Sequence, residues 1–271
     1  MRAAIQVRDL WKRYGEKEVL RGLDLQVCQG EIFALLGVNG AGKTTALECM
    51  EGLRRCDGGQ IRIWGKIGIQ LQSASLPGAI QVREAVEWMA RWKKTEPDPA
   101  VLEALDLKPL AKRQYGRLST GQKRRLHLAL ALLGDPEVLF LDEPSAGLDV
   151  EGRAALHEQI RRLREQGKTI VLASHDMAEV ETLCDRLGIL RDGRLAFQGT
   201  AGELAEQVGG RCTVRIRTEQ GEETWETEDV GHTLLQVLTA YQREGRTVLD
   251  LKVDRGTLEQ QFLAMAGREV S

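Results

Sequence analysis

Ile32-Phe33-Ala34-Leu35-Leu36-Gly37-Val38-Asn39-Gly40-Ala41-Gly42-Lys43-Thr44-Thr45 decides the fold. The apolar run Ile32 to Leu36, lying between Gly30 and Gly37, reads as a parallel strand buried on both faces. Gly37 to Thr44 then follows the spacing G-x-x-x-x-G-K-[ST], and a helical stretch from Thr44 to Leu53 comes next. Strand, glycine-rich loop and helix in that order make a phosphate cradle. Glycines let backbone N–H groups converge on an anion, and the helix N-terminus adds partial positive charge. Lys43 is placed to reach β- and γ-phosphates, and the Thr44 hydroxyl to ligate Mg²⁺. The loop alone leaves kinase, GTPase and ATPase chemistry open.

Further along, Val138-Leu139-Phe140-Leu141-Asp142-Glu143 is an apolar strand ending in two carboxylates. The C-terminal ends of parallel strands are where open α/β sheets bind ligands. There Asp142 can organise a Mg²⁺ shell and Glu143 can polarise an attacking water as general base. The plainer reading is two exposed acids capping the next segment. Leu118-Ser119-Thr120-Gly121-Gln122 precedes a helix, and Ser119 with Gln122 makes a capping box. A capped, exposed helix N-terminus with a glycine can also bind phosphate, so both readings hold together. Asp149 reads as the N-cap before Val150. His175 lies at the C-terminal end of a strand over 169–174.

The 271 residues carry 38 Lys+Arg against 40 Asp+Glu, a net charge of -2, which excludes a binder that works through a broad basic surface. With 42% hydrophobic and 29% charged residues the chain is an ordinary globular sequence rather than a disordered one. Five cysteines, none in a CxxC pair, speak against a disulfide framework or a zinc site. No run of 18 apolar residues exists and the N-terminus lacks a signal-peptide core, so a cytosolic chain held at a membrane only through a partner is expected. Residues 3–10 and 19–27 alternate as half-exposed antiparallel strands, 61–63 and 67–71 are short strands, and 80–133 is helical. Trp88 and Trp92 share one helix face, where at least one is expected in the core of the helical region. Helices over 153–166, 177–184, 234–241 and 258–266 and strands near 187–190, 194–197, 213–217 and 248–253 complete the expectation. The predicted fold is α/β: a P-loop NTPase core with an antiparallel β edge subdomain, a helical subdomain over about 73–134, and a small C-terminal α+β appendage. The core spans 1–208 and the appendage 211–271, with Gly209-Gly210 as hinge.

Gly37–Thr45, Leu118–Gln122, Val138–Pro144, Ser145–Asp149 and Ser174-His175 stand in the order and at the distances of an ABC-transporter nucleotide-binding subunit, and the chain resembles that family from residue 3 to about 205. It is most similar to ATPase subunits of type-2 exporters, including drug-resistance pumps, in which the ATPase is a separate chain with a short C-terminal extension. The resemblance implies ATP and Mg²⁺ as ligands. It makes Leu118–Gln122 the signature loop, with Ser119, Gly121 and Gln122 clamping the γ-phosphate of ATP held by another protomer. Gln72 becomes the Q-loop Mg²⁺ ligand, with Gln70 the rival assignment. His175 becomes the γ-phosphate switch, Asp149 the D-loop residue that crosses the dimer interface, and Tyr14 the aromatic that stacks on adenine. Implied partners are a transmembrane permease, contacted through Ser73 to Trp92, and a second ATPase subunit in a head-to-tail homodimer. No nucleic acid and no direct membrane insertion are implied. The location is cytoplasmic, peripheral on the inner face of the cell membrane through the permease. Three positions depart from the family: Val38 replaces a proline, Thr120 replaces a glycine, and only Gly65-Lys66 separates strand 61–64 from the strand at Ile67. Two rivals remain open: a soluble ABC ATPase acting on ribosomes or DNA, and a small-molecule P-loop kinase, which would need neither Leu118–Gln122 nor Asp149.

Overall fold

The structure, a computed structural model, describes residues 2–70, 75–174, 176–208, 212–254 and 257–266. Gln72, His175 and the Gly209-Gly210 hinge lie outside the described residues. The chain divides into two compact units between Gln198 and Gly199.

In the first unit, β1 (Ala3–Tyr14) and β2 (Lys17–Cys28) alternate buried and open positions and pair antiparallel, Val7 against Leu25. β3 (Ile32–Gly37) is buried from Ile32 to Leu36, as an unbroken apolar run requires. α1 (Lys43–Met50) leaves the glycine loop. β4 (Gly58–Ile63) returns to the other side of β1, giving an antiparallel sheet in the order β2-β1-β4. Gly59 makes that approach possible: at φ +85° it is in the left-handed region, and a Cβ there would stand 2.1 Å from the Asp9 carbonyl oxygen. β5 (Ile67–Gln70) is followed by the helical part, α2 (Val82–Lys93), α3 (Pro99–Ala104) and α4 (Thr120–Leu132). Then come β6 (Val138–Asp142), α5 (Val150–Glu165), β7 (Thr169–Ala173), α6 (Met177–Leu183), β8 (Arg186–Arg191) and β9 (Arg194–Gly199).

Among the described residues the central sheet has the order β5-β6-β7-β3-β8-β9, with β5, β6, β7, β3 and β8 parallel. Gly37, Asp142 and Ser174 therefore emerge at one end of the sheet. Strand alternation sends β6 residues to two cores. Leu139 and Leu141 join Ile170 and Leu172 under α4 and α5, against Leu126, Leu130, Leu156 and Ile160. Val138 and Phe140 join Phe33 and Leu35 on the other face, against Leu47 and Met50 of α1 and Leu10 and Leu23 of the antiparallel sheet. Each such fully buried aliphatic or aromatic side chain contributes about 1.5–3 kcal/mol.

The helical part is held down at α4. Lys93 Nζ donates to the carbonyls of Leu130, Ala131 and Leu133 at 3.0, 3.2 and 3.2 Å, satisfying the otherwise orphaned C-terminal turn. Burial holds the Lys93 ammonium pKa below its ordinary value. The expectation that Trp88 or Trp92 is core is overturned. Both lie on the outer face of α2, 58% and 72% exposed, while Val82, Val86 and Ala90 take the buried face. Spacing of four put the tryptophans on one face, but it could not say which face the apolar core would claim.

The second unit holds α7 (Ala201–Val208), β10 (Cys212–Thr218), β11 (Gly221–Thr227), α8 (Val230–Glu244), β12 (Val248–Asp254) and α9 (Leu258–Ala266). Its antiparallel sheet has the order β11-β10-β12. Val214 and Ile216 of β10 pack with Tyr241 of α8 and Trp225 of β11. No helix of the described residues is long and apolar enough to cross a membrane.

Candidate nucleotide-binding site

Gly37 to Thr45 runs from the end of β3 into α1, and two of its glycines are sterically required. A Cβ at Gly37 would meet the Leu190 carbonyl oxygen at 2.7 Å. Gly42 stands at φ +105°, with Val19 O and Leu20 Cδ2 each 3.0 Å from where a Cβ would be. The Ala41 N–H donates to Val38 O at 3.1 Å and closes the turn. Asn39, Gly40 and Thr44 are exposed, Lys43 and Thr45 half-buried. α3, α4, α5, α6 and α8 each have a capping oxygen, from Asp98, Ser119, Asp149, Asp176 and Asp229. α1 has no side-chain cap and no acid in its first turn. Its first N–H groups are thus left to the loop side, the arrangement an anion needs.

Lys43 Nζ donates to the carbonyls of Gly37 and, at 3.3 Å, Val38. Burial lowers its pKa, opposed by the charges of Glu143 and Asp142. The lysine and both expected carboxylates are therefore brought into one field. Asp142 closes β6 half-buried, and burial, then Glu143, hold its carboxyl above the ordinary range while Arg124 and Lys43 pull it down. Glu143 sits at φ +49°, a region that costs a residue with a Cβ about 1–3 kcal/mol. Its N–H donates to Ala173 O at 2.9 Å, which ties the end of β6 to β7 and holds the strained residue in place.

Sequence reasoning missed Glu51. It is 6% exposed at the C-terminal end of α1, and burial, then Asp142 and Glu48, push its carboxyl up to about 7. Nothing in the sequence marks it, because the proximity to Asp142 exists only once α1 packs on the sheet.

Ser174 ends β7, 2% exposed. Gln70, the rival to Gln72, is 1% exposed, lies opposite Leu141, and neither atom of its amide has a hydrogen-bond partner. Tyr14 is 42% exposed, with Arg54 Cζ 5.2 Å and Lys12 Nζ 5.6 Å from its ring centroid.

A second set of expected residues gathers elsewhere. Gln122 N–H donates to Ser119 Oγ at 3.2 Å and Ser119 N–H donates to Gln122 Oε1 at 3.0 Å, the reciprocal capping box. Gly152 N–H donates to Asp149 Oδ1 at 2.8 Å, capping α5. Ser119, Gly121, Gln122, Gly147 and Asp149 line a cavity of about 520 Å³. No residue of Gly37–Thr45 lines it.

Phosphate chemistry of this kind, at the carboxyl end of a parallel sheet, defines the class: a P-loop nucleotide-binding protein. Comparison with known proteins narrows it. The family model described as ABC transporter matches residues 20–146. The Nod factor export ATP-binding protein I of Burkholderia orbicola is 36% identical over 300 residues, covering 99% of this chain and 98% of that protein. The daunorubicin resistance ATP-binding protein DrrA3 of Streptomyces coeruleorubidus is 34% identical over 304 residues, covering 97% and 96%. A solved ATP-binding subunit of an ABC transporter superposes with a TM-score of 0.68 at 26% identity, over 76% of this chain and 93% of that one. The chain belongs to the ABC transporter family, as an ATP-binding subunit of the exporter-like kind, an ATPase coupled to transport.

Proposed function

We propose that this chain hydrolyses ATP as the engine of an exporter, by closing head to tail on a second copy and passing the motion to a transmembrane permease. Export is favoured by the names of its relatives, one an export and one a drug-resistance protein. The observation that carries the dimer is the separate 520 Å³ cavity: Ser119, Gly121 and Gln122 gather away from their own Gly37–Thr45 loop, so a phosphate contact from them falls to another protomer's nucleotide.

In this reading Tyr14 stacks on adenine. The N–H groups of Gly37, Val38, Asn39, Gly40, Ala41, Gly42, Lys43, Thr44 and Thr45 wrap the phosphates, and Lys43 exchanges its loop carbonyls for the β- and γ-phosphates. Mg²⁺ fits the donor set: the Thr44 hydroxyl and Gln72 as ligands and Asp142 in its shell, a carboxyl that burial and Glu143 hold above its ordinary pKa and that a cation would relieve. When bound, it neutralises phosphate charge. Glu143 takes a proton from the attacking water, and His175 contacts the γ-phosphate. Residues 1–208 do this work, with 73–134 facing the permease and 211–271 as an appendage. The exposed pair Trp88 and Trp92 on α2 supports a permease contact there. The chain then sits on the cytoplasmic face of the membrane through its partner.

Glu143→Gln tests this. The variant should bind MgATP, sediment as a dimer and hydrolyse slowly, while Lys43→Ala stays monomeric with ATP. A Glu143→Gln protein that binds ATP yet stays monomeric, or hydrolyses at the unmodified rate, contradicts the reading.

A further inference from the structure

Both residues that flank position 175 are tied to α5. Ser174 donates its hydroxyl to Glu179 Oε2 at 2.5 Å and accepts the Asp176 N–H at 3.1 Å. The second bond closes the chain across position 175. Glu179 is 1% exposed, and its other oxygen lies 3.1 Å from Nε2 of His157, 8% exposed on α5. Asp176 caps α6, accepting the N–H groups of Ala178 and Glu179, and takes Nη1 of Arg153 at 2.7 Å. Asp149, Arg153 and His157 are spaced four apart, so they form one stripe of α5 that starts at its N-cap.

A carboxylate as buried as Glu179 needs partners for both oxygens, and it has them. The chain His157, Glu179, Ser174, Asp176 N–H is satisfied throughout, and a satisfied buried network is rigid. Val180 and Leu183 already give α6 its apolar anchors, and the polar links converge instead on the turn between β7 and α6.

We propose that His157 and Arg153 are positioning residues for the hydrolytic step, acting through Glu179, Ser174 and Asp176 on the residue at 175. The proposal rests on the reading of His175 as the γ-phosphate contact. It also assigns α5 a coupling role. Asp149, the residue read as facing a second protomer, and the two ties to the 174–176 turn share one helix face, so displacement of one end moves the other.

The test is ATP hydrolysis by the full chain under steady-state and single-turnover conditions. His157→Phe keeps bulk and removes the polar link, His157→Gln restores it, and Arg153→Met cuts the partly exposed arm with little risk to folding. His157→Phe and Arg153→Met should each lower kcat about tenfold, the loss of one orienting hydrogen bond, with KM for ATP and Tm little changed. His157→Gln should recover most of the rate. In a His175→Ala background His157→Phe should lower the residual rate no further, since both act through one residue. An unchanged kcat in His157→Phe and Arg153→Met, or an equal fold loss with and without His175, overturns the inference alone. Full activity in His175→Ala overturns the reading of His175 and the inference together.

Discussion

Glu51 gives the site its own pH dependence. An ordinary carboxyl near 4.5 is pushed up to about 7 by burial and by Asp142 and Glu48. The folded chain therefore holds a proton that the unfolded chain has lost across that window. Stability falls as pH rises from about 4.5 to about 7, by an amount on the order of 1–3 kcal/mol, and is flat in this group above it. Glu51→Gln cannot ionise and should raise Tm at pH 8 but not at pH 4, measured by thermal unfolding without nucleotide. An equal gain at both pH values, or a loss at pH 8, contradicts the assignment. At this scale the sequence was informative where chemistry depends on neighbours in the chain, as in Gly37–Thr45 and Asp142-Glu143. It was silent where chemistry depends on partners far apart, as with Glu51 beside Asp142, or His157 with Glu179, 22 residues away.

Helix N-termini divide the elements by role. α1 lacks a side-chain cap, whereas α4 carries both a cap and an exposed glycine. Ser119→Asp separates the two functions proposed for the α4 terminus. Aspartate caps as well as serine, so Tm should stay within about 2 °C. It also places a negative charge where a γ-phosphate is read to dock, so the ATP-dependent dimer of the Glu143→Gln protein should be lost. A dimer that survives Ser119→Asp would leave Ser119 a cap and nothing more. Elements with a strong apolar period were legible: β3, β6, β7 and α9 lie where the pattern put them, to within a residue or two. α7 and β11 were not. α7 buries only Leu204, and β11 is Gly-Glu-Glu-Thr-Trp-Glu-Thr, held by its hydrogen bonds to β10 rather than by an apolar face. A period cannot appear where little is buried.

The whole molecule repeats that division. Its first unit converges a phosphate loop, a lysine and two carboxylates at one end of a parallel sheet, and its family assigns the work to transport. The remaining step, from ATPase to exporter engine, depends on a partner whose chemistry this chain does not encode. The soluble alternative, an ABC ATPase on ribosomes or DNA, predicts different company for the same closed state. The most direct measurement is therefore capture of tagged Glu143→Gln protein, with ATP, from detergent-solubilised membranes of its own host, followed by mass spectrometry. The account predicts co-purification of a polytopic membrane protein that is lost in the Lys43→Ala, Glu143→Gln double variant or without ATP. Recovery of ribosomal or DNA-repair proteins, with no polytopic partner, would contradict it.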